Sequence, residues 1–455
     1  MEKRTLRFLC PNGHLGFAPI KTGSFYRGVE TRPDFILADS GSCDIGPVPL
    51  GEDISTSPLQ WQKHDLEHML LASRNLGVPM LIGSAGDTGT NSRVDLYIEI
   101  IKELAQKHKI PKFRLGYFYS EVGRDYLGQK IKDGKTIQGL DGRPDLALED
   151  IGKTYRVVAV AGIHPYMRLL EMGADVIIGG RSSDIAIFAA PAIMAGFPED
   201  LSYYLGKVLE CASFCAEPYG GKESVIGTIS EEDVKVTAMH PEQRCTVASV
   251  AGHAMYERAN PFYEYVCGGM LDMTECKYEQ FDEKTTRITG PKFVPAEQLR
   301  VKLEGAGKVG ERCIGIAGVR DPYTIRNIDR VIQWARDQAK ERFGGTDFQL
   351  HYHVYGKNGV MGDLEPVKEI RSHELCVIVE GVAPTREMAE EVTMIGTRQI
   401  FYARLPEVKG TAGSAAFVVD EVLRATPAYI WTVNHTVPVD DPMELFPVHL
   451  TEAGV

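Results

Sequence analysis

Five loops of this chain collect glycines, short polar side chains and carboxylates directly after an apolar run, and each has the residue types for chemistry. "TLRFLC" is followed by "PNGHLG", with Asn12 and His14. "DFILAD" runs into "SGSCDIGPVPLG", which holds Asp39, Ser40, Ser42, Cys43 and Asp44. "PMLIGS" leads to "AGDTGTNSR", with Asp87, Thr88, Thr90, Asn91, Ser92 and Arg93. "RVVAVAG" is followed by "IHPYMR", with His164 and Arg168, and "ADVIIG" by Gly180, Arg181, Ser182, Ser183 and Asp184. The last group reads as an anion cradle, with small residues for close approach, free N–H groups at a helix start and a guanidinium to clamp a carboxylate or phosphate. Ser183 or Asp184 would serve equally well as a helix cap.

Asp39, Asp44 or Asp87 with His164 would supply the acid and base of proton-transfer chemistry at such an anion. Ser40, Ser42, Asp87, Thr88, Thr90 and Asn91 would contact the substrate from neighbouring loops. Asp39, Asp44 and Asp87 could instead hold Mg²⁺, which takes hard oxygen ligands. Cys43 is a candidate nucleophile if a helix N-terminus depresses its thiol pKa.

The flanking elements must bring these loops together. In the first half, near-continuous apolar strands alternate with helical patterns such as "RVDLYIEIIKELAQKHK", whose closing lysines suit the negative helix end. This alternation predicts α/β architecture with a doubly wound, mostly parallel sheet, and such sheets bind ligands beyond the carboxyl ends of their strands. From about residue 222 the strands shorten and become more polar, which predicts a mixed β extension of the same domain, residues 1–345. In residues 346–455 the order strand, strand, helix, strand predicts a ferredoxin-like α+β domain.

Bulk properties narrow the classes. A chain of 455 residues exceeds what one core usually supports. The formal net charge of -12 argues against a nucleic-acid partner, though a small anionic substrate needs only local positive charge. Nine scattered cysteines without a CxxC pair argue against a disulfide framework or structural zinc. The stretch "MEKRTLRFLCPNGHLG" lacks the apolar run of a secretory signal, and Ile185 to Phe197 is too short to cross a bilayer, so a cytoplasmic protein without a membrane partner is expected.

Other motifs carry less. "GAGKVG", Gly305 to Gly310, satisfies GxGxxG but lies between two stretches that read as arms of a hairpin, without a following helix, so it is no dinucleotide fingerprint. Walker A, HExxH and GxSxG sequences do not occur, and the chain has no nicotinamide or flavin signature. No cofactor is specified beyond the Mg²⁺ option. His351 and His353 share one strand face and read as a surface pair.

Four stretches together, "DSGSCDIGP", "GADVIIGGRSSDIAIFAAPA", "LECASFCAEPYGG" and "ERANPFYEYVCGGMLDMT", resemble the acyclic terpene utilisation A family over most of the chain. The resemblance implies a large α/β domain followed by a ferredoxin-fold domain, and a place in catabolism where substrates travel as branched acyl-CoA thioesters. "DSGSCDIGP" is similar to the form in a subgroup that often accompanies a small separate partner protein. Many relatives carry an acidic residue where this chain has Asn260, and a Gln-rich stretch in place of "SFCAEP". The combined expectation is a hydratase/dehydratase or isomerase, acting by proton abstraction beside a carboxylate or thioester and assembled as a homo-oligomer. The alternative is a ligand-binding or scaffold subunit active only with its small partner.

Overall fold

The computed structural model describes residues 4–41, 43–407, 413–417 and 422–455. They form a mixed α/β protein with two compact units, one of residues 1–306 and 431–455, the other of residues 307–430.

The first unit is built on a sheet of ten strands among the described residues. At its centre β1 (Leu6–Cys10), β2 (Phe35–Gly41), β3 (Met80–Asp87) and β4 (Phe113–Phe118) run parallel with β7 (Val176–Ile178), which lies between β3 and β4. Every residue of β3 is buried, as expected of a strand covered on both faces. Across the centre Ile36 lies opposite Met80 and Met80 opposite Val176, and the β2–β3 register shifts between Asp39 and Gly41. The shorter strands after residue 222 extend this sheet antiparallel: Val225–Ile229 lies against β1, Val234–Ala238 beside it, then Thr285–Thr289 and Lys277–Gln280. The chain returns at the other edge, where Val448–Ala453 pairs antiparallel with β4.

Helices cover this sheet. Leu59–Leu76 ends on Gly77 in the left-handed conformation. The apolar helix Ala186–Met194 packs against Glu199–Leu209, and Gly206 lets the second helix approach Ile185.

Two expectations are corrected here. "RVVAVAG" forms a strand, β6 (Arg156–Ala159), but not in the parallel sheet: it pairs antiparallel with the strand Arg300–Val319, Ala159 opposite Leu303. The supposed hairpin around "GAGKVG" is one continuous strand of 20 residues, Arg300–Val319. Its glycines serve packing: a Cβ at Gly305 would fall 2.7 Å from Val433 Cβ, and one at Gly310 2.6 Å from the Ala383 carbonyl.

In the second unit, the later part of that long strand pairs with Leu375–Ala383, which pairs with Gln349–Tyr355. Helices Ile328–Phe343 and Arg386–Tyr402 pack on these strands, burying Val331, Ala335, Val377 and Val392 in one cluster. Residue 345 therefore falls inside a single packed unit, because side chains before and after it share one core. The closing strands are assigned differently too, since Val448–Ala453 belongs to the large sheet of the first unit.

Gly89, at φ +63°, ties the β3 loop to the β7 loop: Arg181 N donates to its carbonyl at 3.1 Å, and a Cβ there would overlap the Arg181 backbone. Gly89→Ala is expected to lower stability by about 2–4 kcal/mol from left-handed strain and overpacking, measured by urea unfolding.

Candidate functional site

Parallel strands deliver their following loops to one end of a sheet. Those after β1, β2 and β7 here open onto a cavity of about 1180 Å³. His14 lines it from the first loop, Asp39, Cys43 and Asp44 from the second, and Arg181, Ser183 and Asp184 from the loop after β7. The opposite wall comes from the strand Arg300–Val319, whose alternation turns Arg300, Lys302 and Glu304 to the cavity and buries Val301 and Leu303 behind them.

Arg181 lies at the centre and is almost wholly buried. Its Nε donates to Glu304 Oε2 at 2.9 Å and its Nη2 to Oε1 at 3.3 Å, while Nη1 lies 3.1 Å from Ser84 Oγ and 3.3 Å from Asp184 Oδ1. Lys302 Nζ donates to Glu304 at 2.9 Å. These two cations hold the Glu304 carboxyl at about 2 despite burial, which by itself would raise it.

The expected open anion cradle is therefore corrected, since its donors are already engaged. Arg181 N bonds Gly89 O, Ser182 N bonds Ser84 Oγ and Ser183 N bonds Ala161 O. Ser182 Oγ is 2.7 Å from Tyr166 OH. Gly180 is small for packing: a Cβ would lie 2.5 Å from Ser120 Oγ.

Asp39 is the unusual group of the site. It is buried, Oδ2 accepts from Gly41 N at 2.9 Å, and Oδ1 has no hydrogen-bond partner among the described residues. Burial, then the charge of Asp184, hold its pKa well above the carboxylate range, and Arg181 only partly opposes this. Asp184 faces the cavity with its side chain 38 % exposed, and its pKa is raised as well, first by desolvation. Gly83 makes room here, because a Cβ at that position would sit 2.6 Å from Asp39 Oδ1. His14 lies on the same wall; its Nε2 is buried without a hydrogen bond among the described residues, 3.6 Å from Asp87 Oδ1.

The remaining expected residues are placed as follows. Ser40 bonds Tyr97 OH at 2.8 Å inside the core. Asp87 accepts from the backbone and hydroxyl groups of Thr56 and Ser57, which fasten that loop; its pKa is lowered against burial by His14 first and then by these donors. Thr90 donates to Asp53 at 2.6 Å, and Asn91 N donates to Glu121 at 2.9 Å. Thr88 lines a small neighbouring cavity of about 10 Å³ shared with Cys43, Arg181 and Glu304. Ser42 lies outside the described residues.

Three roles change on this geometry. His164 does not line the cavity; it opens the helix His164–Glu171, where burial lowers its pKa and Asp441 acts in opposition. The reason is topological, because the strand before it is not one of the parallel set. Burial and the Glu304 charge push the Cys43 thiol up, opposite to what a nucleophile needs. Asp39, Asp44 and Asp87 are not gathered into a metal cluster, and no group of three or more His, Cys, Asp or Glu side chains among the described residues is arranged to hold an ion.

Sequence reasoning missed the wall of Arg300, Lys302 and Glu304, although its polar–apolar alternation is visible in "RVKLE". It also missed buried Lys207, which pairs with Glu210 and lies 3.5 Å from Glu264, with its ammonium 4.9 Å from the Tyr256 ring centroid.

Fold and site together define an α/β protein with a charge-lined cavity at the carboxyl ends of its parallel strands. The family model for the acyclic terpene utilisation family protein AtuA matches residues 7–439, and the chain belongs to that family. No curated protein and no solved structure matches it. No helix among the described residues is long and apolar enough to cross a membrane.

Glu304→Gln would leave Arg181 and Lys302 without their shared counter-charge, so about 3–5 kcal/mol of stability should be lost at pH 7. The native contribution depends on ionised Glu304. It is present above the unfolded pKa of about 4.3 and lost as pH falls toward about 2, so the gap between native and variant unfolding midpoints should narrow in acid.

Proposed function

We propose that this protein is an enzyme of carboxylate or branched acyl-CoA catabolism, a hydratase/dehydratase or isomerase that moves a proton next to a carboxylate or thioester. The observation that carries this reading is Asp39, a buried carboxyl whose pKa is raised by burial and then by Asp184, with Oδ1 free of hydrogen bonds among the described residues at the cavity wall. A neutral acid in such a place can donate to an oxygen on which negative charge develops, as α-proton abstraction requires. His14, whose Nε2 on the same wall lacks a hydrogen bond among the described residues and lies 3.6 Å from Asp87 Oδ1, is the base in this proposal, and Arg181 with Ser183 and Asp184 frames the position of the reacting group. The parallel sheet is read as doubly wound, and the strand order of the second unit as ferredoxin-like.

Asp39→Asn and His14→Gln should each slow exchange of α-protons with deuterated solvent by about 10²–10⁴-fold, measured by NMR on branched enoyl-CoA thioesters and small carboxylates. His164→Ala should exchange as the native protein does. Exchange should also decline as pH rises through the raised pKa of Asp39, where the acid form is lost. Full activity of Asp39→Asn would remove the assignment.

A second reading, a ligand-binding or scaffold subunit that needs a small partner protein, is favoured by exposed apolar side chains of the second unit, Val360 at 85 % and Leu364 at 81 %. The same patch would suit a homo-oligomer. Purification from the native host, in the cytoplasmic fraction where the protein is expected, distinguishes them by whether a stoichiometric small subunit accompanies activity.

A further inference from the structure

The strand that supplies Glu304 also carries a row of charge away from Arg181. Arg300, Lys302 and Glu304 alternate on its cavity face, so Arg300 starts about 13 Å along the strand from Glu304. Lys302 is paired only with Glu304, while Arg300 pairs with no carboxylate among the described residues. The Arg300 guanidinium is held instead by neutral acceptors: Thr436 Oγ1 at 2.9 Å, Thr436 O at 2.8 Å, Thr136 O at 3.0 Å and Gln298 Oε1 at 3.2 Å.

Arg143 lines the same cavity, with a single bond from Nη1 to Trp431 O at 2.9 Å and no carboxylate partner among the described residues. The nearby acids are occupied or distant. Asp141 accepts from Asn434 at 2.9 Å, and Asp145 acts on Arg300 only through space. Burial lowers the Arg300 pKa, as expected of a cation whose charge is not locally matched.

Arg300, half-buried and held by neutral acceptors, and Arg143, exposed but lining the same cavity, leave positive charge without a carboxylate at the Arg300 end of the row, which calls for an anion. The cavity volume, about 1180 Å³, exceeds the roughly 1,000 Å³ that bounds most sites for drug-sized ligands. We infer that the site takes an extended ligand whose anionic end group, phosphate or carboxylate, is seated on Arg143 and Arg300, about 13 Å of strand rise from Glu304, while its other end lies toward Arg181 and Asp39. A compact di- or tricarboxylate cannot reach both ends. This inference rests on the reading of Asp39 as the reacting end, but its binding arm is independent of turnover.

Calorimetric titration tests it with two probes of different chemistry, coenzyme A and the linear diacids from succinate to dodecanedioate, on the native protein and on Arg143→Gln, Arg300→Gln and Asp39→Asn. The native protein should bind coenzyme A or dodecanedioate at least tenfold more tightly than succinate. Arg143→Gln and Arg300→Gln should each lose at least tenfold for the long probe. A response to coenzyme A alone assigns the end group as phosphate, and a response to the long diacid assigns it as carboxylate.

Asp39→Asn should keep the tenfold preference for the long probe over succinate. If it also retains proton exchange, the catalytic reading fails while the binding inference stands. Equal affinity for succinate, unchanged affinity in both arginine variants, or no binding of either long probe would overturn the inference.

Discussion

A guanidinium buried at the end of a parallel strand cannot remain unpaired, and the pairing of Arg181 with Glu304 organises this molecule around that constraint. Desolvation of either charge alone would cost several kcal/mol, so each requires the other with good geometry. The two residues are 123 positions apart, which obliges the start of the strand Arg300–Val319, residues 300–306, to lie beside the loop ends of the large sheet. That placement builds the cavity wall, draws β6 out of the parallel set into antiparallel pairing with the same strand, and brings Lys302 and Arg300 along by alternation.

The same pairing sets the electrostatics of the site. Because Arg181 and Lys302 share Glu304, little of their charge remains to stabilise a second carboxylate nearby. Asp39 and Asp184 sit beside Arg181 with pKa values raised, first by desolvation, and the arginine opposes this only in part. Across the cavity Lys207 is bound to Glu210 and close to Glu264. The lining is thus a set of ion pairs beside Asp39, whose pKa is raised, and among the described residues Arg143 and Arg300 line the cavity without a carboxylate partner.

Backbone geometry makes such close packing possible. Ser84 and Asp87 both adopt positive φ, +48° and +75°, at the end of β3. A residue in that region is held there by its surroundings: Ser84 Oγ receives Ser182 N and the Arg181 guanidinium, and Asp87 receives the Thr56–Ser57 loop. The glycine-rich stretches after β3 and β7 therefore serve the meeting of two loops, with Gly89 against Arg181 and Gly180 against Ser120, more than the approach of a ligand.

Local pattern was enough for the elements that depend on local pattern. Near-continuous apolar strands between amphipathic helices required a sheet buried on both faces, and strand order then placed His14, Asp39, Cys43, Asp44 and Arg181 around one cavity. The family was legible too, in motifs that span most of the chain. What the tertiary structure alone decided was partnership. Whether Arg181 stood open or paired, whether Asp87 was a ligand or a fastener, and whether Asp39 was ionised depended on residues tens to hundreds of positions away. The glycine-rich run through Gly305 read as a turn because sequence does not reveal the neighbour, Val433, that keeps it extended. A charge is tuned by what is close in space, and spacing along the chain fixes proximity only within an element.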